Sequence, residues 1–445
     1  MSLDVHVIGA GLAGCEAAFF LAERGVPVVL HEMRPSHSTP AHKTRNFAEL
    51  VCSNSLKSKS PHSASGMLKA EMACMGSLIL RTADRFSVPA GEALAVDRDL
   101  FSEAITATLR SHPKIQVIEE DCREPIPDSI NLLASGPLTS ENLSQWLAKT
   151  SDADNLYFYD AIAPVIEAGS IDSSRAFLAN RYDKGEEEAY LNCPLNEAEY
   201  YAFVDALITA EKVAPRSFEK EKLFQGCQPI ESIVATGRDS LRFGPMKPVG
   251  LVDPATQQRP YAVVQLRAEN RDRTAFNLVG FQTKLKYSEQ ARVFRLIPAL
   301  HKVEFLRMGS IHRNTYLCGP RVLNPDFSFR GHPKIYAAGQ MTGVEGYVES
   351  TAIGLIVADF IYQRIAGRPH SAPPGNTALG ALIRHVSGSD PNTYQPAGMH
   401  FGLLDPSLFD GVAGLKRDDA RKEMARQALA IFMNWWEKRD ENNEK

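Results

Sequence analysis

Val5-His6-Val7-Ile8-Gly9-Ala10-Gly11-Leu12-Ala13-Gly14 is the stretch on which the fold of this chain turns. Val5 to Ile8 is a short apolar run with the length of a buried strand, and Gly9 ends it. From Leu12 to Glu23 apolar residues recur at helical spacing, and Gly25 closes that helix. Val26 to Leu30 reads as a second strand that runs out at Glu32. Strand, glycine turn, helix and strand in this order predict a βαβ unit. Within it, Gly9, Gly11 and Gly14, with Ala10, Leu12 and Ala13 between them, form the GxGxxG pattern. The first glycine permits the tight turn, the second lets backbone approach a pyrophosphate, and the third lets helix and strand pack closely. A diphosphate placed there faces free N–H groups at a helix N-terminus. Glu32, 23 residues after Gly9, stands where an acid can accept bonds from ribose hydroxyls.

The rest of the chain selects the dinucleotide. No second GxGxxG follows, so a separate nicotinamide domain is not expected. Ala337-Ala338-Gly339-Gln340, followed by an apolar helix from about Ser350 to Arg364, resembles the late strand of glutathione-reductase-like flavoproteins. In those proteins this backbone comes near the flavin, so the pairing favours FAD, with Gly339 and Gln340 among its contacts. The fold class expected is α/β: a glutathione-reductase-like, Rossmann-type FAD-binding domain with a smaller inserted α/β domain. The expected boundaries are 1–184 for the first part of the FAD domain, 185–290 for the insert and 291–370 for the return part. A helical segment, 371–445, completes the chain. Residues 33–61, polar and rich in Ser, His and Pro, read as a long loop, which in a compact domain is usually functional. Ala425, Leu429, Phe432 and Trp436 line one face of a C-terminal helix, read as a docking or dimer surface.

Composition removes several function classes. The chain has 445 residues, 44% hydrophobic and 23% charged, an ordinary globular balance that excludes extensive disorder. No apolar run is long enough for a transmembrane helix and no secretory signal is visible, so a cytoplasmic protein without membrane contact is expected. Seven cysteines without a CxxC pair argue against a disulfide framework and a metal site. The net charge is −4, but Arg238 to Arg313 hold 14 Lys and Arg against 6 Asp and Glu, a local net of +8. Such a segment attracts phosphates unless neighbouring acids balance it.

Cys15, Cys74, Cys122, Cys193 and Cys318 suit small buried hydrophobes. Cys52, in Glu49-Leu50-Val51-Cys52-Ser53-Asn54-Ser55, and Cys227, in Phe224-Gln225-Gly226-Cys227-Gln228-Pro229-Ile230-Glu231, sit instead in loops, where a thiolate can be reached. These two segments carry a resemblance to a known family, the folate- and FAD-dependent tRNA uracil-5-methyltransferases called TrmFO. It extends through Thr39-Pro40-Ala41-His42-Lys43-Thr44, Val88-Pro89-Ala90-Gly91, Ala95-Val96-Asp97-Arg98, Gly244-Pro245-Met246-Lys247-Pro248-Val249-Gly250-Leu251 and Gly343-Val344-Glu345-Gly346-Tyr347-Val348-Glu349-Ser350. The larger GidA (MnmG) proteins resemble the chain too, but are longer and modify a different tRNA uridine.

The resemblance implies methylation of C5 of uridine 54 in the tRNA T-loop. The carbon comes from 5,10-methylenetetrahydrofolate, reduced FAD is electron source and methylene carrier, and NADH or NADPH is the reductant. C5 of uracil is a poor nucleophile until a thiolate adds to C6 and leaves an enolate. The resemblance assigns that addition to Cys227 and a second role, base or flavin protector, to Cys52. It further implies that Tyr347 stacks on the folate pterin. Arg238, Arg242, Lys247, Lys284, Lys286 and Arg292 are candidates for tRNA phosphate contacts. Two other readings stand beside this one: an FAD-dependent oxidoreductase of a small molecule, and a flavin-binding RNA chaperone without catalysis. The oligomeric state is open.

Overall fold

The computed structural model describes residues 4–39, 41–150, 156–183, 189–213, 228–392, 394–405, 407–410, 412 and 414–441. Cys227 lies outside them. The strands Val5–Ile8 and Val28–His31 pair in parallel on either side of the helix Leu12–Glu23, as the glycine pattern requires. The six-stranded sheet they belong to runs in the order Ser328–Phe329, His332–Ala337, Ile130–Leu133, Val5–Ile8, Val28–His31, Ile115–Ile118. All its pairings are parallel except that of Ser328–Phe329 with His332–Ala337. Ile130–Leu133 sits beside the first strand and the late strand His332–Ala337 beside Ile130–Leu133, and Gly339 after it reaches the helix that follows the glycine loop, where a Cβ on it would lie 2.9 Å from the Ala13 side chain. The helix Tyr347–Ile365 packs against Leu12–Glu23 so closely that a Cβ on Gly354 would lie 2.3 Å from the Ala13 carbonyl oxygen.

A second six-stranded sheet, antiparallel throughout, orders its strands Phe177–Leu178, Tyr190–Leu195, Ala262–Ala268, Ala275–Leu278, Val165–Glu167, Phe305–Arg307. The helices Glu197–Thr209 and Tyr287–Phe294 contribute to its core, where Phe203, Phe281 and Phe294 meet ring to ring. The antiparallel pair Leu156–Ile162 and Ser310–Tyr316 carries the chain out of the first body and back. The second sheet draws strands from 165 to 307, beyond the 185–290 expected at both ends, because the strands Val165–Glu167, Phe177–Leu178 and Phe305–Arg307 are only two or three residues long and give no periodic signal. The expected loop 33–61 likewise contains a short strand, Ser55–Ser58, paired with Ala93–Val96 across a register irregularity. The C-terminal helix Arg417–Glu441 docks within the chain: Met424, Ala425, Ala428 and Phe432 are buried in the core of the nucleotide-binding body. None of the described helices is long and apolar enough to cross a membrane.

Candidate active site

The glycine loop separates packing from ligand binding residue by residue. Gly9 has φ +107°, and a Cβ there would meet the Ala134 carbonyl oxygen at 2.7 Å. A Cβ on Gly14 would lie 1.9 Å from the Gly9 carbonyl oxygen. Both glycines serve the fold. Gly11 is different: its backbone, φ −75° and ψ −172°, suits any residue, and a Cβ there meets nothing within 4 Å. Nothing in the protein requires a glycine there, whereas a phosphate approaching the helix N-terminus does.

Glu32 closes the same cleft, 4% exposed. Its Oε2 accepts from the Ala10 N–H at 3.0 Å, and its Oε1 from Arg34 Nε at 2.7 Å and Arg34 N–H at 3.1 Å. Burial by itself would raise this carboxyl, but the Arg34 hydrogen bond and charge, helped by the two backbone N–H groups, hold it below the ordinary range. Arg34 continues to Glu49 at 3.0 Å, so the long loop is anchored on the acid. A carboxylate has about four acceptor positions, which leaves capacity for ribose hydroxyls. The cleft thus offers donors and an acceptor that suit a dinucleotide, and Gly339, with φ +79°, comes against the helix that follows the loop: a Cβ on it would lie 2.9 Å from the Ala13 side chain.

Cys52 opens on a second, larger cavity of about 540 Å³. Cys52, Lys57, Gln340 and Tyr347 line it from the nucleotide-binding body, and Arg267, Asn277 and Gln282 from the insert. The Cys52 backbone is gripped from three sides. Its N–H donates to Tyr347 Oη at 2.7 Å, and its carbonyl accepts from Arg98 Nη2 at 2.9 Å and Arg307 Nη2 at 3.0 Å. Glu269, itself buried, pairs with Arg98. Burial would raise the Glu269 carboxyl, but Arg98 and Asn277 hold it low; burial likewise opposes the Arg98 charge, which Glu269 more than restores. Burial, and then the neighbouring Cys52, push the Tyr347 phenol well up, so it stays a neutral hydroxyl. Asn54, fully buried, donates to Val96 O and Ala268 O and accepts from Arg267 Nε at 2.9 Å, which ties the cysteine loop to the insert sheet.

The structure thus brings Cys52, Gln340 and Tyr347 together at one cavity and places Glu32, Gly9, Ala10 and Gly11 at the other, whereas Leu12, Ala13 and Gly14 lie behind it in the helix. The six cations named from the sequence lie on the insert, and most are already engaged there. Arg238 pairs with Asp205 at 2.6 Å, Lys286 with Glu211 at 2.6 Å and Arg292 with Glu289 at 2.6 Å, while the Arg242 guanidinium lies 3.6 Å from the Tyr261 ring centroid. The Lys284 backbone N–H donates to Glu231, and Lys247 is exposed. Sequence reasoning passed over Lys57, Arg267, Glu269 and Arg307. Asn54 and Arg98 fall inside segments quoted above, but without a signal for their roles.

A parallel sheet with a phosphate-ready glycine loop, an inserted antiparallel sheet and a shared cavity between them defines a flavoprotein of the GidA type. The family model described as glucose inhibited division protein A matches residues 4–369. GidA of Aquifex aeolicus superposes with a TM-score of 0.68 at 14% identity, covering 100% of this chain and 76% of its own, which establishes the fold. Closer in sequence are the methylenetetrahydrofolate–tRNA-(uracil-5-)-methyltransferases TrmFO of Geobacter sulfurreducens, 51% identical over 98% of this chain and 99% of its own, and of Desulfitobacterium hafniense, 52% identical over 90% and 92%. The chain belongs to the TrmFO family.

Proposed function

We propose that this protein methylates C5 of uridine 54 in tRNA, taking the carbon from 5,10-methylenetetrahydrofolate, with FAD reduced by NADH or NADPH. The observation that carries the reading is the cavity that Cys52, Gln340 and Tyr347 share with the insert residues Arg267, Asn277 and Gln282. When bound, FAD supplies the redox capacity and the carrier for a one-carbon unit. Gly9, Ala10, Gly11, Leu12, Ala13 and Gly14 cradle its diphosphate, Glu32 takes a ribose, and Gly339 and Gln340 face the flavin end. Tyr347 has its hydroxyl committed to Cys52, so its ring serves as a fixed wall on which a planar pterin stacks. Holding the Cys52 carbonyl with two arginines and its N–H with a phenol leaves the thiol as the adjustable part of that residue.

Cys227 adds to C6 of the uracil, and Cys52 acts as base or flavin protector. Support for Cys227 comes from the chain three residues on: Ile230 N–H donates to the carbonyl of Gln282, a cavity residue, at 2.8 Å. Arg238, Arg242, Lys247, Lys284, Lys286 and Arg292 form the insert's candidate RNA-facing set. Those already paired can exchange a carboxylate for a phosphate, because exposed ion pairs hold their partners weakly. The protein acts on tRNA in the bacterial cytoplasm. The test is covalent trapping: tRNA carrying 5-fluorouridine forms an adduct with the wild type, because fluorine cannot leave as a proton does. Cys227→Ala should keep its flavin and lose the adduct. An adduct that persists in this variant hands the addition to another residue.

A further inference from the structure

Lys57 is built into the cavity with unusual care. The strand Ser55–Ser58 loses register between its two pairings with Ala93–Val96, and in that irregular stretch Lys57 has φ +61°, a left-handed backbone that non-glycine residues avoid. The turn sends the Lys57 carbonyl toward Lys69 Nζ at 3.4 Å and the Lys57 side chain into the cavity wall. There its ammonium donates to Glu349 Oε1 at 2.6 Å and to the Glu345 carbonyl at 3.3 Å. Glu349 is wholly buried and also accepts from the Met399 N–H at 2.8 Å, so the carboxylate is fixed and the ammonium with it. Two glycines make room. A Cβ on Gly346 would lie 2.8 Å from Lys57 Nζ, and one on Gly398 2.7 Å.

An ammonium has three donors. Two meet protein acceptors, and the Lys57 side chain remains 40% exposed to the cavity. Among the described residues the other cation on the cavity wall, Arg267, is 6% exposed and spends its Nε on Asn54. Strained backbone of this kind persists where the surroundings over-determine it, and here they hold one cation at the edge of a reaction space.

We propose that Lys57 is a catalytic residue of the uracil methylation, donating to uracil O4 and stabilising the enolate formed when a cysteine thiolate adds to C6. The proposal rests on the reaction assigned above. Addition forms the S–C6 bond and moves the C5=C6 pair through C4 onto O4. No proton moves in that step. The pair returns through C5 to bond the methylene of the one-carbon unit, the C5 proton leaves to a base as the carbon–nitrogen bond to the carrier breaks toward nitrogen, a hydride that the reduced flavin would supply completes the methyl group, and expulsion of the thiolate restores the ring. A cation pre-aimed at the cavity favours the charged oxygen over the neutral carbonyl, which is where catalytic stabilisation is largest.

The experiment uses flavin-loaded Lys57→Met and Lys57→Arg with a tRNA transcript tritiated at C5 of uridine. Loss of one such donor lowers kcat by roughly 10²–10³-fold, so Lys57→Met should release tritium that much more slowly. Its flavin absorbance should match the wild type, and its KM for tRNA should stay within about threefold. Lys57→Arg, which keeps a cation, should recover at least about a tenth of the wild-type rate. Tritium release by Lys57→Met within about fivefold of the wild type overturns the proposal. So does a loss of flavin or tRNA binding that parallels the loss of rate, as a purely structural ion pair would give. Should Lys57→Met fail to fold, Lys57→Gln is read by the same criteria. A wild type that releases no tritium refutes the methylation reading itself, not the role of Lys57 within it.

Discussion

Gly11→Ala adds one methyl group at the point where the fold has no use for a glycine. The backbone there is ordinary and the methyl meets no protein atom within 4 Å. In the apoprotein the reduced freedom of the unfolded chain stabilises by about 0.4–1 kcal/mol, and a poorer N-cap costs a similar amount, so stability should change by less than about 1 kcal/mol. The bound diphosphate, by contrast, must retreat from the helix N–H groups. Loss of one charge-assisted hydrogen bond costs about 1.5–3 kcal/mol, roughly ten- to 150-fold in the FAD dissociation constant. Gly14→Ala should do the reverse: its methyl, 1.9 Å from the Gly9 carbonyl oxygen, forces the loop to move. Overpacking of this kind destabilises by about 1–3 kcal/mol even without flavin. Thermal unfolding of both apoproteins, with flavin titration followed by fluorescence quenching, separates the two effects. Unchanged FAD affinity in Gly11→Ala, or an apoprotein weakened as much as Gly14→Ala, would refute the division between a ligand glycine and a packing glycine.

Two further perturbations probe the surface and the core. Lys284→Ala with Lys286→Ala should flatten the log–log salt dependence of tRNA binding by up to about 1.5 and raise KM for tRNA, at about 0.7–0.9 per phosphate contact. Since Lys286 already faces Glu211, an unchanged slope means that this pair stays closed and both lysines leave the RNA surface. In the core, the Glu71 carboxyl accepts from the Ala378 and Leu379 N–H groups at the start of the helix Ala378–Gly388, and burial raises its pKa from 4.5 to about 8. The folded state thus binds that proton more tightly than the unfolded chain does. The contribution of Glu71 to stability is greatest below the ordinary carboxyl range and is lost as pH climbs toward about 8, with a slope of up to about 1.4 kcal/mol per pH unit. Glu71→Gln should flatten that fall in urea titrations; an equally steep fall in the variant would place the linkage elsewhere.

How legible the molecule was in its sequence depended on how far apart the interacting residues lie. The first strand, the helix Leu12–Glu23 and the acid after the second strand could be read to the residue, because the periodicity and the glycines that dictate them are local. Gln340 could be singled out because it follows a strand with a recognisable glycine ending, and Tyr347 through the family resemblance; both line the cavity that Cys52 opens on. The insert's outer strands escaped notice because Phe177–Leu178 and Phe305–Arg307 are held by neighbours across the sheet, not by their own pattern. The grip on Cys52 was invisible for the same reason: Arg98, Arg307 and Tyr347 reach it from 46, 255 and 295 residues away. Lys57 was hidden differently. Its backbone is left-handed where a strand residue would be extended, and no residue type in Ser55-Leu56-Lys57-Ser58 announces that.

The central claim is that a folate carbon becomes the methyl group of a T-loop uridine, and isotope transfer tests it most directly. The purified protein, with a nicotinamide reductant and 5,10-methylenetetrahydrofolate carrying carbon-13 in its methylene group, is incubated with unmodified tRNA, and the nucleosides are mapped by mass spectrometry. The result expected is ribothymidine at position 54 carrying the label, absent when folate is omitted or when Cys227→Ala replaces the wild type. A methyl group without label, or label at a different uridine, would contradict the account.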